Sequence, residues 1–302
     1  MIRLLSVLVF LFSASLAEAQ DLQPRRWSHL PLDRNFVGAL YGYTSADIFF
    51  NPSLRLENVE LDMHTAGISF VHSFEVFGKS ARFDMMQSYQ DGRWKGLLDG
   101  ASASTSRTGF SDTTLRLSMN LVGAPPLSGK EFADYRATKR DCETIVGAGV
   151  VVVLPTGHYL KDRLLNLGSN RFTIRPQLGV IHSRGRWSYE LTGSLWCYTD
   201  NNSFFNGNTL EQDPLVSLQG HVVYTFRPGF WIATGLAYGM GGQSTINGVE
   251  SNDNKNNFLW GTSLGFSVSR QLGFQLTYIS TKTLERSGFD SDTILFGASL
   301  MW

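Results

Sequence analysis

The side chains that could do chemistry are scattered, and their spacing decides what they can do. Gly261-Thr262-Ser263-Leu264-Gly265 has the G-x-S-x-G spacing of a nucleophilic serine. That motif works where a strand breaks sharply into a helix and presents the hydroxyl at the turn. Here the apolar alternation runs on through it to Val268, so an unbroken strand is expected and no catalytic residue is assigned. Gly239 to Gly242 is glycine-rich, but no helix start follows to bind a phosphate. His64, His72, His158, His182 and His221 lack metal-ligand spacing, so neither a metal nor another cofactor is expected. Asp200-Asn201-Asn202 and Asn252-Asp253-Asn254 could offer oxygens to a divalent cation or to lipopolysaccharide; solvated loop tips are the simpler account.

A second set is regular. Arg82, Asp84, Arg116, Arg175, Gln177, Glu190, Gln219, His221 and Gln275 each interrupt a row of apolar residues spaced two apart. Period two is a strand, and alternate residues take opposite faces. On a strand whose other face meets lipid, a charge turned outward costs roughly 2–4 kcal/mol, so these nine candidates point inward. They would either form a polar constriction that filters solutes or fill a narrow barrel with their own side chains. Arginine and acid pairs across neighbouring strands would satisfy one another. Trp196 and Tyr198, near the outer end of their strand, are candidate mouth aromatics that could hold a ring while the polar wall receives a hydroxyl.

The elements that must position these residues follow from the alternation. The C-terminal stretch carries Ile294, Phe296, Ala298, Leu300 and Trp302 on one face and ends on the aromatic. An outer-membrane β-barrel closes on such a strand, with the aromatic in the interfacial girdle. Phe296, Leu300 and Trp302 also resemble the C-terminal insertion signal read by the barrel-assembly machinery. Eleven further alternating segments precede it. They start near Asn35, Met63, Ala81, Leu115, Ile145, Phe172, Trp187, Val216, Ile232, Phe258 and Phe274; the fifth, Val- and Gly-rich, has ambiguous faces. Tight turns at Phe77-Gly78, Arg184-Gly185, Pro228-Gly229 and Gln271-Leu272-Gly273 alternate with longer polar connections. Short periplasmic turns and long outer loops are the barrel rule. One connection departs from it: Val122 to Glu143 should be periplasmic but is long, opens on Pro125-Pro126, and offers a short helix over Ser128 to Tyr135. The expectation is an all-β transmembrane up-and-down barrel of about twelve strands.

Residues 1–19 read as a leader: Arg3, an apolar run from Leu4 to Phe12, and Ala17-Glu18-Ala19 as the cleavage site. Residues 20–302 then form one domain, in the bacterial outer membrane. The chain has 26 basic and 26 acidic residues, which argues against a nucleic-acid partner. Aromatics are 13% and glycines number 30, and alternation of this kind hides apolarity from average hydropathy. Cys142 and Cys197 fall at opposite ends of the barrel wall, too far apart for a disulfide.

Several stretches resemble the outer-membrane proteins grouped as the MetA-pathway-of-phenol-degradation family. They are Phe36-Val37-Gly38 with Tyr41 to Ser45, Gly92-Arg93-Trp94-Lys95-Gly96, Gly109-Phe110-Ser111-Asp112, and Pro155-Thr156-Gly157-His158-Tyr159. Asn166-Leu167-Gly168-Ser169-Asn170-Arg171, Thr199-Asp200-Asn201 and Gln212-Asp213-Pro214 complete the likeness, which runs from about Asn35 to Trp302. It implies a transporter-like barrel for aromatic or other small hydrophobic compounds and brings no catalytic residue with it. The expected partners are the lipid bilayer, lipopolysaccharide, the assembly machinery and a small-molecule solute. Two competing readings are an outer-membrane enzyme, since a phospholipase barrel shares this strand count, and a structural barrel that transports nothing.

Overall fold

The computed structural model describes residues 22–50, 56–139 and 141–302. The leader expected over residues 1–19 lies outside them. Thirteen antiparallel strands form one sheet, and twelve of them close into a ring. In chain order the ring strands are β1 Asn35–Phe49, β2 Leu56–Val76, β3 Lys79–Leu98, β4 Thr113–Val122, β5 Cys142–Leu154 and β6 Thr173–Arg184. They continue as β7 Trp187–Tyr198, β8 Leu215–Arg227, β9 Phe230–Gly241, β10 Lys255–Ser267, β11 Leu272–Thr283 and β12 Gly288–Met301. Each pairs with its sequence neighbours, and β1 closes on β12 from Phe36 opposite Met301 to Phe49 opposite Gly288. Closure pairs every backbone edge, as a spanning sheet in lipid requires. This is the up-and-down barrel expected.

Alternation sorts the faces. Ile68, Leu178 and Ile294 stand outward, 66%, 59% and 54% exposed, as an apolar band for lipid requires. β5, whose faces were ambiguous, turns Val151 inward, 1% exposed.

The two ends of the ring differ. One end has the tight turns, which by the barrel rule is the periplasmic end. It also carries the long connection between β4 and β5. The helix there spans Gly129–Thr138, a few residues beyond the expected Tyr135, and Ser128 at its N-cap makes no side-chain capping bond.

The other end is taller than the sequence suggested. β2 has 21 residues and β6 has 12, and the extra nine correspond to about 30 Å of strand. Above the rim β3 leaves β4 and pairs instead with the strand Ala101–Phe110, from Tyr89 opposite Phe110 to Leu98 opposite Ala101. A separate four-stranded sheet, built from Asn201–Phe204, Asn208–Gln212, Ser244–Ile246 and Val249–Glu250, stands on the connections after β7 and β9. Neither feature was foreseen, because both lie in stretches that read only as polar loop.

Candidate functional site

The lumen is occupied by a segment that precedes β1. Residues 22–34, which read as a polar lead, run inside the ring before β1 starts. Trp27 is 2% exposed and lies in a notch made by Gly147 and Gly179, which face each other across β5 and β6. A Cβ on either glycine would overlap the indole. The Trp27 Nε1–H donates to Thr192 Oγ1 on β7 at 2.9 Å, and the Arg116 guanidinium lies 4.8 Å from the ring. Arg26 donates to Gln177 Oε1 at 3.1 Å, while Gln177 Nε2 donates to Ser194 Oγ. The backbone N–H of Arg25 donates to Glu190 at 2.6 Å, and the Arg25 guanidinium sits 5.3 Å from the Trp231 ring. Leu22 packs against Leu259 and Ile279 on β10 and β11.

The turn end anchors the segment. His29 Nε2 is 2.7 Å from the Pro125 carbonyl, and its ring meets Phe132 and Tyr135 of the helix edge-on. Those two residues are three apart and so share a helix face. Ser73 Oγ donates to the Pro31 carbonyl at 2.6 Å and accepts from the Arg34 N–H. The long connection therefore holds the foot of the segment.

The nine inward candidates are distributed around this segment. Arg116, Arg175, Gln177, Glu190, Gln219 and His221 are buried, and Arg82, Asp84 and Gln275 are half-buried. Arg82 pairs with Asp84 at 3.0 Å along one strand, not across two. Glu190 takes its bond from the N-terminal segment, not from a wall arginine. Arg116 stands opposite Asp84 across β3 and β4. Gln275 donates to Thr277. Trp196 is buried, bonds Ser217 Oγ at 3.2 Å, and carries the Arg175 guanidinium 4.1 Å above its ring. Tyr198 sits under the Arg171 guanidinium at 4.5 Å. Phe296, Leu300 and Trp302 are exposed on the outward face.

The strand through Ser263 is unbroken, and the Ser263 hydroxyl pairs with Thr277 Oγ1 at 2.9 Å. His64 pairs with Tyr41, His72 with Asn35 and His182 with Thr144. Cys142 and Cys197 are both free. The two Asp/Asn clusters are not solvated tips throughout. Asn201, 1% exposed, donates to the Ser169 carbonyl and to Tyr159 Oη. Asp253, 2% exposed, accepts the Ser244 N–H at 2.6 Å. Both hold the outer sheet in place, because buried backbone donors and acceptors there need partners.

The motif stretches converge on the outer mouth. Asp112 accepts the N–H of Gly157 and both the N–H and hydroxyl of Ser169, all at 2.6–2.7 Å. Asn170 donates to Asn201 at 2.7 Å, and Arg171 bonds Gln212. Leu165 and Leu167 of the same connection pack on Ile48, Leu61 and Trp94 of the tall wall, while Leu164 packs on Phe204 and Leu210 of the outer sheet. The 155–172 connection is thus a cover bridging two sides of the mouth.

Sequence reasoning missed Leu22, Arg25, Arg26, Trp27 and His29. The available signal was a tryptophan in a polar lead together with glycines on the inward phase of β5 and β6.

A family model described as "Putative MetA-pathway of phenol degradation" matches residues 53–296. No curated protein sequence matches. An outer membrane channel from Pseudomonas putida F1 superposes with a TM-score of 0.76 at 20% identity, covering 93% of this chain and 100% of that one. The transport unit of an Escherichia coli autotransporter gives 0.54 at 8% identity over 93% and 92%. Both likenesses are in fold.

Proposed function

This chain belongs to the MetA-pathway-of-phenol-degradation family, and on that footing we propose that it is an outer-membrane channel for small solutes, held closed by its own N-terminal segment. One observation carries the reading. The space inside the ring is filled by a separate stretch of chain rather than by interlocking wall side chains. A barrel wide enough to house a polypeptide leaves a passage when that polypeptide moves. The segment is held largely by hydrogen bonds, and each exchanges for water at a net cost of only about 0.5–1.5 kcal/mol. Its buried apolar anchors are Trp27 and Leu22.

The solute we propose is phenol-like, an apolar ring with a polar substituent. Support comes from the family description and from the inward mix of polar groups with Trp196 and Tyr198. We further propose that the chain is exported by a leader over residues 1–19 and inserted through its C-terminal residues. The enzyme reading gains no support from Ser263, whose hydroxyl is engaged by Thr277.

Conductance across a planar lipid bilayer tests the channel. The intact protein should be closed most of the time, and a variant lacking residues 22–30 should conduct steadily and let liposomes swell in phenol-sized solutes. If neither protein conducts, the channel reading falls and a structural role takes its place.

A further inference from the structure

We propose that the turn-end rim of the barrel from β6 to β11 is a docking surface for anionic phospholipids, those whose headgroup carries a phosphate and no compensating amine. Three tight turns form this rim, after β6, β8 and β10, and their strands are neighbours in the sheet. The turns carry Arg184, Arg186, Arg227 and Arg270, and no Asp or Glu lies within 183–189, 225–231 or 266–274. All four arginines are exposed, and none is in an ion pair among the described residues. The rest of the turn end is mixed in charge. In the long connection Lys130 pairs with Asp134 at 2.6 Å and Arg136 with Glu143 at 3.1 Å. Arg34 follows Asp33, and Lys79 shares its hairpin with Glu75. Positive charge without a counter-charge is therefore gathered on one side of the rim.

An aromatic ladder sets the depth of these charges. Tyr224 stands opposite Trp187, Phe230 opposite Phe266, and Phe266 opposite Phe274. Ring centres lie 4.7 Å apart for Trp187 and Tyr224, 4.9 Å for Phe226 and Phe230, and 5.3 Å for Phe266 and Phe274. A belt of this kind sits where hydrocarbon gives way to headgroups. Arg184 stands opposite Trp187, and Arg186 Nη1 donates to Tyr224 Oη at 3.4 Å. Arg227 follows Phe226, and Arg270 sits in the turn between Phe266 and Phe274. The guanidinium groups are thus at headgroup level. By the barrel rule this end is periplasmic, so the lipids facing it are phospholipids. A guanidinium matches a phosphate by forked hydrogen bonds. An amine in the same headgroup would be repelled by the neighbouring arginines, which favours a net anionic lipid over a zwitterionic one. The inference does not depend on conduction.

Native mass spectrometry on the purified protein tests this, in detergent micelles doped equally with dioleoyl phosphatidylglycerol and dioleoyl phosphatidylethanolamine. The wild type should retain phosphatidylglycerol in preference. That preference should shrink as salt rises, because exposed charges are screened. Each arginine changed to glutamine should lower it by up to about fivefold. With Arg184→Gln, Arg186→Gln, Arg227→Gln and Arg270→Gln combined, the two lipids should be held alike. Arg93→Gln with Lys95→Gln removes two exposed positive charges from the far part of β3 and should leave the preference intact. A heat-dependent gel shift checks folding. If the combined variant fails that check, the pair at 184 and 186 and the pair at 227 and 270 are read separately, and each should lower the preference. Equal retention of both lipids by the wild type overturns the proposal. So does a loss in the Arg93 and Lys95 variant as large as that in the rim variants. Lipopolysaccharide retained above phosphatidylglycerol, and lost in the rim variants, would put this end in the other leaflet and overturn it as well.

Discussion

Trp27 lies against Gly179 so closely that a Cβ on that glycine would overlap the indole. Gly147 stands opposite Gly179 in the ladder, and Thr192 follows on the next strand. Three wall strands thus leave out side chains, or shorten them, to admit one tryptophan. Truncating a buried tryptophan costs about 3–5 kcal/mol. That is close to the roughly 5.5 kcal/mol that carries a two-state balance from 99:1 to 1:99. Trp27→Ala should therefore leave the barrel folded and shift the segment largely out of the lumen. Gly179→Val should do the same from the wall side. Single-channel recording would show long open times in both. Channels as closed as the wild type would rule out Trp27 as the anchor.

Asp112 is the corresponding anchor of the outer cover. One carboxylate takes three hydrogen bonds from Gly157 and Ser169, and bonds to a charged group contribute about 1.5–3 kcal/mol each. Asp112→Ala should release the 155–172 connection by several kcal/mol while the ring persists. The connection contains Lys161 and Arg163. Trypsin added to intact cells should cut the variant there and spare the wild type. Equal resistance in both would mean that the apolar packing of Leu165 and Leu167 holds the cover by itself.

How much of this was legible is a matter of range. Lipid contact is local: Ile68, Leu178 and Ile294 announce their face by alternation alone, and the ring follows from repeating it. The Asp112, Gly157 and Ser169 stretches stood out as family likeness, but their common node spans residues 112 to 169 and is invisible along the chain. The N-terminal segment was hardest. Arg25 and Glu190 are 165 positions apart, and a polar lead has no period to read. The glycines that receive Trp27 read as weak strand positions until the tryptophan is in place.

His29 gives the segment a dependence on pH. Burial holds its imidazole below the usual value; the Pro125 carbonyl and Glu143 oppose that shift, while Arg136 adds to it. A histidine whose value is lowered in place favours the docked segment fully above its free value of about 6.5. That contribution is lost as pH falls below it. The closed fraction should therefore drop between pH 7.5 and 5. His29→Gln can still donate to Pro125 and should flatten the profile. A wild-type profile already flat over that range would exclude the histidine as its source.

Cys142 is exposed at the start of β5 and Cys197 is half-buried near the other end of β7. The apolar band between such positions is about 25 Å tall. A charged maleimide should label Cys142 only after the outer membrane is permeabilised, if the turn end is periplasmic. Labelling of Cys142 on intact cells would invert the barrel.

Trp302 follows β12, and its two backbone bonds run to Asn35 at the foot of β1. Its side chain is 51% exposed, in line with Leu300 and Phe296 on the outward face. The seam between β1 and β12 joins the first and last strands of the ring. A charge on the lipid face of that seam costs up to about 2–4 kcal/mol at the midplane and about 0–1 near an interface. Trp302 lies near the interface, so Trp302→Asp should weaken the finished barrel only slightly. The loss we expect is in insertion: fewer molecules should reach the heat-shifted folded form, and unfolded chain should collect in the periplasm. Purified Trp302→Asp refolded into detergent separates the two effects. Normal refolding with poor insertion in cells supports recognition of the C-terminal residues. Normal amounts in the outer membrane would remove the insertion role from Trp302.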